Sequence, residues 1–142
     1  MFELKGGCHC GNVHINFQLS RHPGSYNPRA CDCGFCLKHG AAYVSDPAGT
    51  LRIEARDSQK LGRYRQGSGT AECLLCTNCG VLVGVAYQEN GRTLATVNYR
   101  AVEGARFGNE VTVSPKKLGV AEKVTRWKEL WFPNVSFVVK DA

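Results

Sequence analysis

The eight cysteines of the chain fall into three clusters whose spacing is typical of metal ligands. The clusters are Cys8-His9-Cys10, Cys31-Asp32-Cys33-Gly34-Phe35-Cys36 and Cys73-Leu74-Leu75-Cys76-Thr77-Asn78-Cys79-Gly80. Two cysteines in a C-x-C pair are too close for an easy disulfide, and such dense groups of sulfurs are not needed for apolar packing. The pattern therefore predicts thiolate–metal coordination.

Two short cysteine pairs, which we call knuckles, together supply the four ligands of a closed structural zinc site. Cys76-x-x-Cys79 is followed by Gly80, a residue that can take the left-handed conformation at this point. Cys8-x-Cys10 also ends in a glycine and is the natural partner, since a structural zinc takes four ligands in a tetrahedron. We expect this site to hold the first strand against the middle of the chain. A metal ion that closes a long loop should stabilise the folded chain most.

Three of the remaining thiols would bind a zinc ion and leave one of its coordination positions open. Cys31, Cys33 and Cys36 supply three ligands, and three protein ligands plus one open position are the arrangement of a catalytic zinc. Zinc bound by three thiolates carries a net negative charge, so it polarises carbonyls weakly but is suited to holding a substrate thiol as its thiolate. We therefore predict sulfur chemistry, in which a small thiol loses its proton and attacks an electrophilic carbon.

Other interpretations of this triad stay open from the residues alone. Cys73 or a histidine could complete a second structural zinc site without turnover, and Cys73 could also be a buried small hydrophobic side chain. The C-x-C-x-x-C spacing also resembles that of iron–sulfur ligands. His39 follows the triad closely and could accept a proton from an incoming thiol, or lie on the surface.

The composition is that of a single domain, residues 1–142, with an apolar core. The chain has 142 residues, 43% of them hydrophobic, and shows no repeat, low-complexity segment or linker. Its start lacks the apolar region of a signal peptide, and its longest apolar run, Val81 to Tyr87, is too short to span a bilayer. We expect a cytoplasmic protein with reduced thiols and no membrane association.

The net charge of +6 comes from basic residues spread over the whole chain. Such a surface suits an anionic partner without identifying one. Basic and aromatic residues are not interleaved in a run, and finger-type Cys/His spacing is missing, so we do not expect nucleic acid as a partner. The alternative to an enzyme is a non-catalytic zinc-binding module that contacts an anionic partner.

The hydrophobic pattern predicts a mainly β fold with at most one or two short helices. Residues 13–19 alternate strictly between apolar and polar, as in a half-buried strand. Asn90-Gly91 separates two β-branched runs and predicts a hairpin turn. Apolar residues that include Trp127 and Trp131 have a spacing that predicts a helix over 120–130. We expect the two tryptophans in the core or at a packed edge. Further strands are predicted at residues 42–44, 51–54 and 135–139, and a short strand with a loop within 62–72.

Together, the three cysteine motifs resemble the glutathione-dependent formaldehyde-activating enzyme family, which also includes centromere protein V. The matching residues are Gly7-Cys8-His9-Cys10-Gly11-Asn12-Val13, Cys31 to Cys36 followed by Lys38-His39-Gly40-Ala41, and Cys76-Thr77-Asn78-Cys79-Gly80. The resemblance covers roughly the first two-thirds of the chain. It implies a zinc-bound β-tent of small antiparallel sheets and carbon–sulfur lyase chemistry, the reversible addition of glutathione to formaldehyde to give S-hydroxymethylglutathione.

The resemblance also implies two zinc ions per chain and assigns their ligands. The structural ion is assigned Cys8, Cys10, Cys76 and Cys79, and the catalytic ion Cys31, Cys33 and Cys36. Nearby basic residues, Lys5, Arg29 and Lys38, could offset the negative charge of the catalytic site or bind the carboxylates of glutathione. The chain departs from the family pattern at Leu75, where an aromatic residue is usual, at the extra Cys73, and throughout residues 101–142.

Overall fold

The computed structural model of the protein describes residues 1–140. Within them, twelve strands form two sheets, accompanied by two helices, α1 (Gly34–His39) and α2 (Val120–Leu130). The strands, in chain order, are β1 (Phe2–Gly7), β2 (Val13–Leu19), β3 (Arg29–Cys31), β4 (Ala42–Val44), β5 (Thr50–Ala55), β6 (Leu61–Tyr64), β7 (Glu72–Cys76), β8 (Leu82–Glu89), β9 (Arg92–Asn98), β10 (Val102–Glu103), β11 (Val111–Val113) and β12 (Ser136–Val139).

The two sheets are mainly antiparallel, and each has one parallel pair at an edge. The first sheet has the order β10-β1-β2-β5-β12, and the second has the order β11-β3-β4-β9-β8-β7-β6. The predicted mainly β fold is confirmed. However, β12 runs parallel to β5 and β11 runs parallel to β3, so both sheets are mixed. Both parallel strands come from the last part of the chain, which returns through long connections, as parallel pairing requires.

The main core lies between the two sheets. The predicted alternation in β2 is confirmed, because Val13, Ile15, Phe17 and Leu19 are all buried, with polar residues between them. These side chains belong to one cluster with Phe132, whose ring contacts Phe17 edge-to-face at a centroid distance of 5.8 Å. Burial of this apolar surface is the main force that holds the sheets together.

The second sheet is covered on both faces. In β9 the five residues 94–98 are all buried, as expected for a central strand with no solvent-facing side. Ala95 and Val97 contribute to the core between the sheets, whereas the Thr96 hydroxyl faces the other side, where it lies 3.3 Å from a guanidinium nitrogen of Arg29. The second face therefore supports a further layer, built from α1, α2 and the loops around them.

Several local predictions are confirmed, and six of these strands and helices were not predicted. Asn90 and Gly91 both have positive φ angles, 52° and 73°, as the predicted hairpin turn between β8 and β9 requires, and α2 has the predicted bounds. Strands β1, β3, β7, β10 and β11 and helix α1 were missed. β1 contains Gly6, where a Cβ atom would lie only 2.0 Å from the carbonyl oxygen of Ala101. The pairing of β1 with β10 therefore depends on the close approach of two backbones that glycine allows, and not on strand propensity.

No helix within residues 1–140 is long and apolar enough to cross a bilayer. The single domain over 1–142 stays a prediction, and residues 141 and 142 lie outside the described part of the chain.

A buried carboxylate fastens the loops at one end of the sheets. Asp46, only 5% exposed, accepts hydrogen bonds at Oδ2 from the backbone N–H and hydroxyl of Ser20 and from the Tyr26 hydroxyl, at 2.6–2.7 Å. Oδ1 accepts a fourth from the N–H of Ala48 at 2.8 Å. Burial by itself would raise the pKa of Asp46, but these hydrogen bonds outweigh it and lower the pKa from 3.8 to about 2.

We predict that Asp46→Asn lowers the free energy of unfolding by about 2 kcal/mol at neutral pH. Because the pKa of Asp46 is lower in the folded protein, its stabilising contribution is complete above the unfolded value of 3.8 and is lost as the pH falls towards about 2. Urea unfolding of both proteins between pH 7 and pH 3 measures this, with Glu129→Gln as an exposed control. A difference that stays constant with pH would contradict the assignment.

Candidate metal centres

Four cysteines are brought together by two hairpin turns, one from each sheet. Cys8 and Cys10 lie in the turn between β1 and β2, and Cys76 and Cys79 lie at the turn between β7 and β8. Their four Sγ atoms lie within 4.8 Å of one another, with 3.7 Å from Cys8 to Cys10 and 3.5 Å from Cys10 to Cys76. Tetrahedral zinc with ~2.3 Å bonds places its sulfurs roughly 3.8 Å apart, so this cluster fits one zinc ion.

The backbone of both turns is shaped for this cluster. The glycines that follow the second cysteine of each knuckle, Gly11 and Gly80, have φ angles of +87° and +81°, the left-handed conformation predicted for Gly80. The N–H of Gly80 donates to the carbonyl oxygen of Cys76 at 2.7 Å, and the N–H of Val13 donates to the Cys8 sulfur at 3.2 Å. Local hydrogen bonds therefore fix the direction of the sulfurs.

The thiols of this cluster differ in acidity. Hydrogen bonds from the Asn78 side chain and the Asn12 backbone lower the pKa of Cys10 to about 6, whereas burial raises the pKa of Cys76 to about 12. Before metal binds, one thiol therefore ionises readily while its neighbour keeps its proton. Binding of a metal ion must release the remaining protons, since thiolates are the ligands.

The second group consists of Cys31, Cys33 and Cys36 at the junction of β3 and α1. Their Sγ atoms lie within 4.8 Å of one another. Cys31 ends β3, and Cys33 caps α1 by accepting a hydrogen bond from the N–H of Cys36 at 3.4 Å. The Tyr43 hydroxyl lies 3.1 Å from the Cys36 sulfur, and the Gln66 amide donates to the Cys33 sulfur at 3.7 Å. We call Cys31, Cys33 and Cys36 the cysteine triad.

Protons are shared unequally within the triad as well. The hydrogen bond between Cys31 and Cys36 lowers the pKa of Cys31 to about 6 and raises the pKa of Cys36. Burial raises the pKa of Cys73 to about 12 and also raises the pKa of Tyr43, an effect to which the charge of Cys36 adds. The Tyr43 hydroxyl consequently stays protonated beside the sulfurs.

The triad lies in the wall of a cavity of about 300 Å³. Strands of the second sheet form its floor, the loop at residues 66–68 forms one side, and α2 forms another. Its other lining residues are Arg29, Tyr43, Ala71, Cys73, Val85, Thr96, Val113, Pro115, Lys116, Lys123, Arg126, Trp127 and Trp131. We call this space the triad cavity.

The triad cavity has a basic wall. Four lysine and arginine side chains line it, and no aspartate or glutamate of residues 1–140 does. Lys116 is within 3.9 Å of the Asp32 carboxylate. Arg29 instead donates from Nη2 to the neutral hydroxyls of Ser45 and Thr96, at 2.7 and 3.3 Å. Burial, together with the charge of Arg126, lowers the pKa of Arg29 to about 10, so its guanidinium remains charged at neutral pH.

The structure places the seven predicted metal ligands in the two predicted groups. Cys73 lines the triad cavity, but its sulfur is not among the donor atoms that lie within 4.8 Å of one another. His39 is exposed, packs its ring against Phe35 at 4.6 Å and does not line the cavity. Of the basic residues considered from the sequence, Arg29 lines the cavity, whereas Lys5 and Lys38 do not.

Sequence reasoning missed several residues of the triad cavity. Tyr43 lies within a predicted strand, but which face of a strand a side chain occupies depends on pairing. Lys123, Arg126 and Trp127 have i, i+3 and i+4 spacing, and this periodicity was a usable signal that they share one face of α2. Trp131 is buried, as expected for a packed edge, and both tryptophans also line the cavity.

The family model for the glutathione-dependent formaldehyde-activating enzyme matches residues 3–121. The chain is 24% identical over 119 residues to a Schizosaccharomyces pombe protein named an uncharacterized lyase, a match that covers 82% of each sequence. It is also similar to the crystal structure of a Rhodobacter sphaeroides protein, with a TM-score of 0.56 and 33% identity over 72% of this chain and 90% of that one. Because the family match spans most of the sequence, the chain belongs to the glutathione-dependent formaldehyde-activating enzyme family.

Proposed function

We propose that the protein is a zinc-dependent carbon–sulfur lyase that adds a small, glutathione-like thiol to an aldehyde such as formaldehyde. The observation that carries the proposal is the separation of the two cysteine groups. One group is a compact set of four sulfurs at the hairpin turns, and the other is a set of three that lines a cavity. Thiolate ligands require a reducing environment, which fits a cytoplasmic location.

The donor sets support one zinc ion in each group. The four-cysteine cluster would hold a structural ion, and Cys31, Cys33 and Cys36 would hold the second ion with a position left for substrate. When bound by the triad, zinc supplies positive charge that favours the thiolate form of a substrate sulfur.

The residues around the triad have roles of their own in this chemistry. The Tyr43 hydroxyl keeps its proton and can stabilise the Cys36 thiolate by hydrogen bonding at 3.1 Å. The apolar side chains of Val85, Val113 and Trp127 line the cavity and restrict water around the reacting atoms. Positively charged side chains in the same wall stabilise negative charge on the thiolate and on the carbonyl oxygen as it becomes an alkoxide.

The proposed reaction is an addition without net oxidation or reduction. The thiol S–H bond breaks, the sulfur forms a bond to the carbonyl carbon, and the carbonyl π electrons become a lone pair on oxygen. The oxygen then takes up a proton, so that the product is an S-hydroxymethyl thioether when the aldehyde is formaldehyde. Lyase activity is the reverse of these steps.

We predict that Cys33→Ser removes one zinc ion and leaves the protein folded. The wild type should contain one zinc ion for each of the two cysteine groups. Loss of one triad ligand weakens only the site in the cavity, because the hairpin turns and the main core do not depend on it. Metal analysis together with circular dichroism measures both properties, and Cys10→Ser is the matched variant, expected to lose the other ion and much of its thermal stability. Loss of both ions and the fold in Cys33→Ser would show instead that the triad is structural.

We predict that the wild type accelerates exchange between glutathione and S-hydroxymethylglutathione, and that Cys33→Ser reduces the enzymatic rate by about 100-fold or more. Two-dimensional NMR exchange spectroscopy in the presence of formaldehyde measures this rate directly. Cys73→Ala is the control, because its sulfur lies outside the triad, and we expect it to retain its zinc and most of its activity. A zinc-loaded wild type with no acceleration for any small thiol would favour the non-catalytic binding module.

A further inference from the structure

Helix α2 presents a basic and aromatic face to the triad cavity. Lys123, Arg126 and Trp127 line the cavity and are half-buried, whereas Glu122 and Glu129 are exposed and do not line it. The helix begins at Val120, so nearly all of it follows the family match, which ends at residue 121. This wall of the cavity is therefore a feature of this chain beyond the segment that defines the family.

Of the cationic side chains that line this cavity, only Lys116 lies within 4 Å of an acidic group in residues 1–140. Arg29 and Arg126 both line this cavity, and neither forms an ion pair within residues 1–140. Within residues 1–140 the hydrogen bonds of the Arg29 guanidinium go to hydroxyl oxygens, although half-buried guanidinium groups are ordinarily paired with carboxylates. An anion bound in the cavity would offset the positive charge of these two guanidinium groups.

The position of Arg29 links this charge to the triad. Arg29 and Cys31 are two residues apart in β3, so their side chains lie on the same face of the strand. They are separated by about 7 Å along the chain. A small molecule could therefore react at the triad while its carboxylate contacts the guanidinium groups.

We propose that Arg29 and Arg126 form a carboxylate-binding subsite, and that α2 makes the cavity selective for an anionic substrate with an apolar body. The apolar part would lie against Trp127 and Trp131, whose indole rings stack at 4.8 Å. This inference rests on the proposed function in assigning the bound molecule as substrate. The carboxylate belongs to either the thiol or the aldehyde, and its chemistry is the same in both cases.

An alternative role for these arginines, charge balance at the triad, predicts different ligand binding. If they only balance the negative charge of the metal-bound triad, they interact equally with charged and uncharged ligands. A carboxylate subsite discriminates between them. The discriminating experiment is therefore binding of two ligands of similar shape and different charge.

Tryptophan fluorescence reports binding without any need for turnover. The chain contains two tryptophans, and both line the triad cavity. The zinc-loaded protein is titrated with benzoate, which combines a carboxylate and an apolar ring, and separately with benzamide, its uncharged counterpart. We expect benzoate to bind more tightly than benzamide, and its affinity to fall with increasing salt.

Substitution of Arg126 is the decisive variant. Arg126→Gln should weaken benzoate binding by about tenfold or more and leave benzamide binding unchanged. Arg92→Gln, at an exposed position beside the turn at residues 90–91, should affect neither ligand. Arg29→Gln should behave like Arg126→Gln if it folds. Equal binding of benzoate and benzamide, or an unchanged benzoate affinity in Arg126→Gln, would overturn the proposal.

Kinetics then show which substrate carries the carboxylate. Arg126→Gln is compared with wild type for glutathione and the uncharged thiol 2-mercaptoethanol, and for glyoxylate and formaldehyde as aldehydes. A loss of kcat/KM confined to glutathione or to glyoxylate supports the subsite and identifies its ligand. Equal losses for charged and uncharged substrates would contradict it. Benzoate discrimination in a protein without lyase activity would retain the subsite and refute only the proposed function.

Discussion

Side chains alternate between the two faces of the second sheet, and this alternation separates the two cysteine groups. In β7, Cys76 faces the main core and the four-cysteine cluster, whereas Cys73, three residues earlier, faces the triad cavity. In β4, Val44 packs into the main core while Tyr43 points to the triad. Because residues of opposite parity in a strand cannot share a face, two chemically similar sets of sulfurs are kept in different environments.

The four-cysteine cluster brings together parts of the chain that are distant in sequence. Cys10 and Cys76 are 66 positions apart in sequence and meet at hairpin turns of different sheets. A metal ion bound by all four sulfurs would therefore close a long loop and restrain the two turns against each other. The partially exposed position of the cluster, with Cys10 at the surface and Cys76 buried, follows from this location.

The segment from β11 to β12, residues 111–139, completes both the fold and the cavity. Strand β11 pairs in parallel with β3, with Val113 opposite Cys31, and the chain then continues into α2. The Leu130 carbonyl accepts a hydrogen bond from the Ser45 hydroxyl, which in turn accepts one from Arg29. These contacts place a basic wall opposite sulfurs that become negatively charged when they ionise. The electrostatic character of the cavity is therefore set by elements far apart in the sequence.

The sequence by itself determined the two groups of candidate metal ligands and much of the local structure. Cysteine spacing predicts both ligand groups, because the members of each knuckle are neighbours in the chain. Strict alternation predicts β2, and Asn90-Gly91 predicts the hairpin turn between β8 and β9, since both depend on local backbone geometry. Pairing of β11 with β3, the side of the sheet occupied by Cys73, and the approach of Arg126 to Arg29 were decided only by the tertiary structure. These features depend on contacts between distant segments, whose register and facing follow from how the two sheets bury their apolar surfaces.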